Sequence, residues 1–148
     1  MRVSLVWMLL AGCGGGPSAE EAEEPHWGAE RRTQQGLYRV SLEIDPDPPG
    51  IGDLFVARAT VLDRVGEPIE DAEVTLDARM PHHGHGMETL PQMDEGVCPE
   101  GDEGRCTHPG GVYTSRGFKF HMSGPWTMMV DVQGPLGHDS LAVIYELE

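Results

Sequence analysis

The chain has 148 residues, with 25 acidic against 10 basic side chains and a formal net charge of −15. So acidic a surface excludes nucleic acid and an anionic lipid surface as electrostatic partners, and makes cations its natural counterparts. The length suffices for one hydrophobic core and one domain.

Met1-Arg2 supplies a positive start, and Val3 to Leu10 is a short apolar run. It is too short for a permanent membrane span, so residues 1–12 read as a signal peptide. Leu10-Ala11-Gly12-Cys13 resembles the bacterial lipobox, in which small residues precede a cysteine that becomes the lipidated, palmitate-bearing first residue. Cys13 is the expected lipidation site, and the domain is expected to be extracytoplasmic and membrane-tethered. Gly14 stands where some inner-membrane lipoproteins carry aspartate, which favours the periplasmic side of the outer membrane.

From Cys13 to Gly36 no hydrophobic period appears, and Gly14-Gly15-Gly16-Pro17-Ser18 runs into an Ala/Glu-rich stretch. Such a segment buries too little apolar surface to offset its ordering entropy, so residues 13–36 are expected to be a flexible acidic linker.

Residues 37–148 carry a period of two. Tyr38, Val40, Leu42 and Ile44 alternate with polar residues, and Phe55, Ala57, Ala59 and Val61 define a second strand. Ala72, Val74, Leu76, Ala78 and Met80 alternate without exception against Asp71, Glu73, Thr75, Asp77 and Arg79. Tyr113 to His121, Trp126 to Val132 and Leu141 to Leu147 repeat the pattern, with Phe118 and Phe120 in phase and Trp126 as a core anchor. No capped helical segment competes. About seven antiparallel strands joined by Gly/Pro turns over ~110 residues indicate an all-β, immunoglobulin-like sandwich.

Between the third and fourth of these strands lies Met80-Pro81-His82-His83-Gly84-His85-Gly86-Met87. Imidazole plus thioether is the ligand set that suits copper, above all Cu(I). Met80 continues the inward parity of its strand and is placed at the rim of the core. Gly84 and Gly86 permit the backbone angles that let His82, His83 and His85 fold toward one centre. His121-Met122 stands where another strand ends, and forms one pocket with the loop if the two ends share an edge of the sandwich. Met80, His83, His85 and Met87 are the expected mobile ligand shell, with His82, His121 and Met122 as secondary ligands.

Cys98 and Cys106 remain as an even pair in an oxidising compartment, and a disulfide between them is expected, constraining the unfolded chain by about 2–3 kcal/mol. The rival reading, both thiolates as metal ligands, has a spacing unlike the usual zinc pairs.

The Met80-to-Met87 segment, Gly111-Val112-Tyr113 and Phe120-His121-Met122-Ser123-Gly124-Pro125-Trp126 together resemble the YtkA-like domain, related to the FixH proteins, over roughly Leu37 to Leu147. The resemblance implies a small extracytoplasmic β-sandwich, often membrane-anchored, linked to copper handling and, in the FixH branch, to assembly of haem–copper oxidases. This chain departs from it by the acidic Cys98 to Cys106 insertion and by a lipid signal in place of a transmembrane anchor. The expected activity is binding and transfer of copper, with an envelope protein as donor or acceptor. No nucleophile elbow or paired-carboxylate motif indicates an enzyme. The alternative is a metal-free envelope domain with a structural or docking role.

Overall fold

A computed structural model describes residues 27–101 and 103–148. The expected signal sequence, Cys13 and the linker up to His26 lie outside the described residues. The strands are β1 (Arg31–Arg32), β2 (Arg39–Asp45), β3 (Leu54–Leu62), β4 (Glu73–Met80), β5 (His85–Gly86), β6 (Gln92–Met93), β7 (Val112–Lys119), β8 (Gly124–Gly134) and β9 (Gly137–Leu147). They form two antiparallel sheets, ordered β1-β2-β3-β7-β6 and β5-β4-β8-β9. The only helical pieces among the described residues are two 3₁₀ turns, Glu103–Arg105 and Pro109–Gly111. This is the sandwich that the alternation predicts, with six long strands and three two-residue ones.

The inward residues of both sheets build one core, centred on Trp126, Phe118, Phe120, Tyr38 and Tyr113, each at most 1% exposed. The hydroxyls of the two core tyrosines are satisfied: Tyr38 donates to the Gly137 carbonyl at 2.7 Å and Tyr113 to the Ile69 carbonyl at 2.8 Å. Met128 is buried and Met129, one residue on, is not, as alternation on β8 requires.

The phase of β7 is not constant. Tyr113 and Ser115 face inward at odd numbers, Phe118 and Phe120 at even ones. The switch is a bulge: Phe55 pairs with Phe118 but Val56 with Arg116, leaving Gly117 unpaired at φ +89°. An extra residue of positive φ suits glycine and flips every side chain beyond it to the other face. His121 is thereby turned away from the core.

Two further segments differ in kind. The Cys98–Cys106 disulfide is present, with Cα atoms 3.9 Å apart, and closes a hairpin bridged at Val97 and Thr107. The end of the expected linker belongs to the domain: Arg31 and Arg32 pair with Val40 and Arg39, and Trp27 packs edge-on against Tyr145 at 4.8 Å. The anchor of this strap is Asp139, which is 1% exposed. It accepts hydrogen bonds from Thr33 Oγ1 at 2.6 Å and from the N–H groups of Gln35, Leu37 and Ser140 at 3.0, 3.1 and 2.8 Å. Composition alone assigns these residues to a linker because their partner lies about a hundred positions downstream.

Candidate functional site

β4 ends at Met80, and the chain reverses through a turn over residues 81–84 into β5, where Met80 pairs with His85 and Arg79 with Gly86. The N–H groups of His83 and Gly84 both donate to the Met80 carbonyl at 3.0 Å, and Gly84 takes φ +72°. Gly86 lies in β5 without a positive φ, and a Cβ there would sit 3.5 Å from the Ala78 carbonyl oxygen. The expected glycine-softened loop is therefore a hairpin, and its irregular part shrinks to Pro81–Gly84.

The second strand end lies against this hairpin. Because Arg79 pairs with Thr127, the chain entering β8 passes beside the end of β4 and brings His121 with it. The His83 and His85 ring centroids are 5.7 Å apart, and those of His85 and His121 5.0 Å. His121 in turn stands edge-on to Trp126 at 5.3 Å. Residues on both sides of the β4–β8 seam thus form one row of imidazoles.

The row is exposed at one end and half-buried at the other. His82, His83 and His85 are exposed, and His121 is half-buried. His85 Nδ1 lies 3.1 Å from the Gly86 carbonyl, which can only accept, so in the tautomer that makes this hydrogen bond Nε2 is the nitrogen left to bind. His121 Nδ1 is buried with no hydrogen-bond partner among the described residues. A buried polar atom without a partner costs about 1–3 kcal/mol, and such an atom calls for an explanation.

The methionines divide. Met87 and Met122 are half-buried against the core edge, while Met80 is 1% exposed. Gly124, at φ +113°, passes so close above Met80 that a Cβ would meet its Cε at 3.2 Å. Met80 is thus a fixed wall and not a mobile arm, which removes the freedom that the sequence reading grants it. Among the described residues His82 joins no ring contact. Beside the row opens a cleft of about 660 Å³, lined by Met80, Pro81, His85, Met87, Thr89 and Leu90 among others. Thr89, which sequence reasoning misses, has a buried Oγ1 without a partner among the described residues; no pattern around it signals this. The two cations that flank the site are both paired, Arg79 with Asp77 at 3.2 Å and Lys119 with Glu88 at 3.4 Å.

Among the described residues no three His, Cys, Asp or Glu side chains converge as a metal cluster. Two imidazoles on one ion place their centroids about 3 Å from it, hence about 5–6 Å from each other, and both separations in the row fall in that range. A soft ion held here would draw on two or three nitrogens and on the Met87 and Met122 sulfurs, a donor set with no hard oxygen.

A family model described as YtkA-like matches residues 32–131. No curated protein matches the chain. A crystal structure of a DUF4426 family protein from Pseudomonas aeruginosa PAO1 is similar, with a TM-score of 0.50 and 15% identity, covering 80% of this chain and 96% of that one. At that identity the likeness is one of fold. Neither comparison indicates an enzymatic family. The family match spans most of the sandwich and both strand ends that carry the histidines, so the chain belongs to the YtkA-like family.

Proposed function

We propose that this protein is a lipid-tethered, extracytoplasmic copper-binding protein that carries or buffers Cu(I) at the edge formed by the β4–β5 hairpin and the start of β8. The single observation that supports this reading most is the row His83–His85–His121, joined across two strand ends, in which the innermost ring keeps a buried nitrogen without a partner. His85 Nε2 and the His121 ring would hold the ion, with His83 and the Met87 and Met122 sulfurs completing a soft shell. In an oxidising compartment cysteine is consumed as disulfide, as Cys98 and Cys106 are here, so imidazole and thioether are the practical ligands.

The exposed half of the row suits hand-over to a copper-accepting or copper-donating envelope protein, since a partner's ligand reaches His83 and His85 without opening the core. Binding and release, not catalysis, is the activity. Imidazole ligands must be deprotonated, so affinity falls as pH drops below about 6. Added anaerobically with a reductant, copper raises the melting temperature, by an amount that grows with the logarithm of its concentration over the dissociation constant. Indifference of the melting temperature to copper would overturn the assignment. Tethering is tested separately: radiolabelled palmitate enters the wild-type chain in bacterial cells and not Cys13→Ser.

A further inference from the structure

The imidazole row does not end at His121. Trp126, edge-on to it at 5.3 Å, stacks on Phe120 with centroids 4.5 Å apart and ring planes within 17°. Phe120 contacts Tyr145 at 5.8 Å, and Tyr145 meets Trp27 at 4.8 Å on the far side of the sandwich. Trp126 and Tyr145 are also direct cross-strand partners on β8 and β9, so their backbones fix the arrangement. An unbroken line of aromatic rings therefore crosses the core from the histidine edge to the opposite edge.

The line passes through the one tyrosine equipped to lose a proton, with Trp27 beyond it. Tyr145 donates its hydroxyl to Asp47 Oδ1 at 2.7 Å, and Asp47 is exposed. Tyr38 and Tyr113 donate to the carbonyls of Gly137 and Ile69, which are not bases. Oxidation of a phenol at neutral pH requires its proton to leave with the electron. Among the described residues only Tyr145 has a carboxylate in place to take it, and that carboxylate opens to water. Burial first, and then the Asp47 carboxylate, hold the phenol's pKa well above its ordinary value, so the proton is present to be given.

We propose that Trp126 and Tyr145 form a relay that carries oxidising equivalents away from the histidine edge to the Asp47 side, sparing the Met87 and Met122 thioethers. The oxidant is of the hydroxyl-radical class, formed when cuprous ion meets peroxide; that source rests on the copper reading, whereas the relay does not. The radical takes one electron from Trp126 and becomes hydroxide. The Trp126 radical cation takes an electron from Tyr145, whose phenolic proton passes to Asp47, leaving a neutral tyrosyl radical and a carboxylic acid. A donor of the ascorbate or thiol class then returns the electron, and Asp47 returns the proton. Phe120 is not oxidised; it fills the gap between the two stations.

The test uses no metal at the site, so its failure and that of the copper reading are separable. In full-length Cys13→Ser, a ruthenium polypyridyl photo-oxidant is coupled to a cysteine introduced by His82→Cys, and the flash-oxidised sample is frozen for electron paramagnetic resonance. A tyrosyl signal is expected, lost in Tyr145→Phe, where the radical stays on tryptophan. The signal persists in Tyr38→Phe and in Tyr113→Phe. Asp47→Asn, which keeps a hydrogen-bond acceptor but no base, is expected to lose the signal while leaving the melting temperature near that of its parent. A tyrosyl signal that survives Tyr145→Phe, or no protein radical in the parent, would overturn the relay.

Discussion

The Asp139 cluster under the strap and the histidine edge treat polar groups in opposite ways. Under the strap, the buried Asp139 carboxylate accepts from one hydroxyl and three backbone N–H groups, and Thr33 Oγ1 accepts the Tyr38 N–H at 3.0 Å. At the histidine edge, His121 Nδ1 and Thr89 Oγ1 are buried without partners among the described residues. A closed network of this kind fixes one conformation; an incomplete one costs stability and is retained where something else completes it. The copper proposal rests on this difference.

That contrast can be broken first at the strap. Asp139→Ala leaves the Gln35 and Leu37 N–H groups without their acceptor and the Thr33 hydroxyl with only the Tyr38 carbonyl, at 3.2 Å, at a cost of about 3 kcal/mol. Denaturant melts should therefore show a loss of this size, and thermal melts a drop of about 10 °C. A cost no greater than that of a surface substitution would mean that the strap is not held as described.

Acid probes the same cluster. Burial pushes the Asp139 carboxyl up, but the hydrogen bonds from Thr33, Gln35, Leu37 and Ser140 outweigh it and hold the group below its ordinary value of 3.8. A depressed folded-state pKa contributes stability that is complete above the unfolded value and is lost as pH falls through the folded one. Wild type should therefore lose the strap's contribution progressively below about pH 4. Asp139→Asn, destabilised throughout, should lack that part of the slope.

Smaller effects are expected across the molecule. Gly124→Ala forces a Cβ onto a backbone at φ +113° and toward Met80 Cε, at about 2 kcal/mol. Smaller still is His121→Leu, which removes a buried nitrogen that pairs with nothing among the described residues. Its unfolding free energy should stay within about 1 kcal/mol of wild type. A loss of several kcal/mol would place His121 among the structural groups and erase the contrast with the strap.

Much of this architecture is legible in the chain itself, and the exceptions are physical. The alternation from Ala72 to Met80 reports a strand because one face is buried and the other wet. Cys98 and Cys106 announce their bond as an even pair once Cys13 is set aside for lipid and export is expected. Trp126 and Met128 take the core positions their phase assigns. By contrast, the bulge at Gly117 inserts one residue, and only the partner strand reveals it. Trp27 to Gln35 look like linker because what orders them is a carboxylate at position 139. At the candidate site the ligand types are readable from Met80 to Met87, but the approach of His121 depends on the β4–β8 register, and Met80 is immobilised by Gly124 from a different strand.

The most direct measurement is an anaerobic Cu(I) titration of the protein against a competing chromogenic chelator, run on wild type and on the double variant His85→Ala/His121→Leu. A copper carrier built on the imidazole row withdraws Cu(I) from the chelator at neutral pH, does so less as pH falls below about 6, and loses this capacity when both rings are removed. Wild type that leaves the chelator saturated, or a double variant that competes equally well, would contradict it.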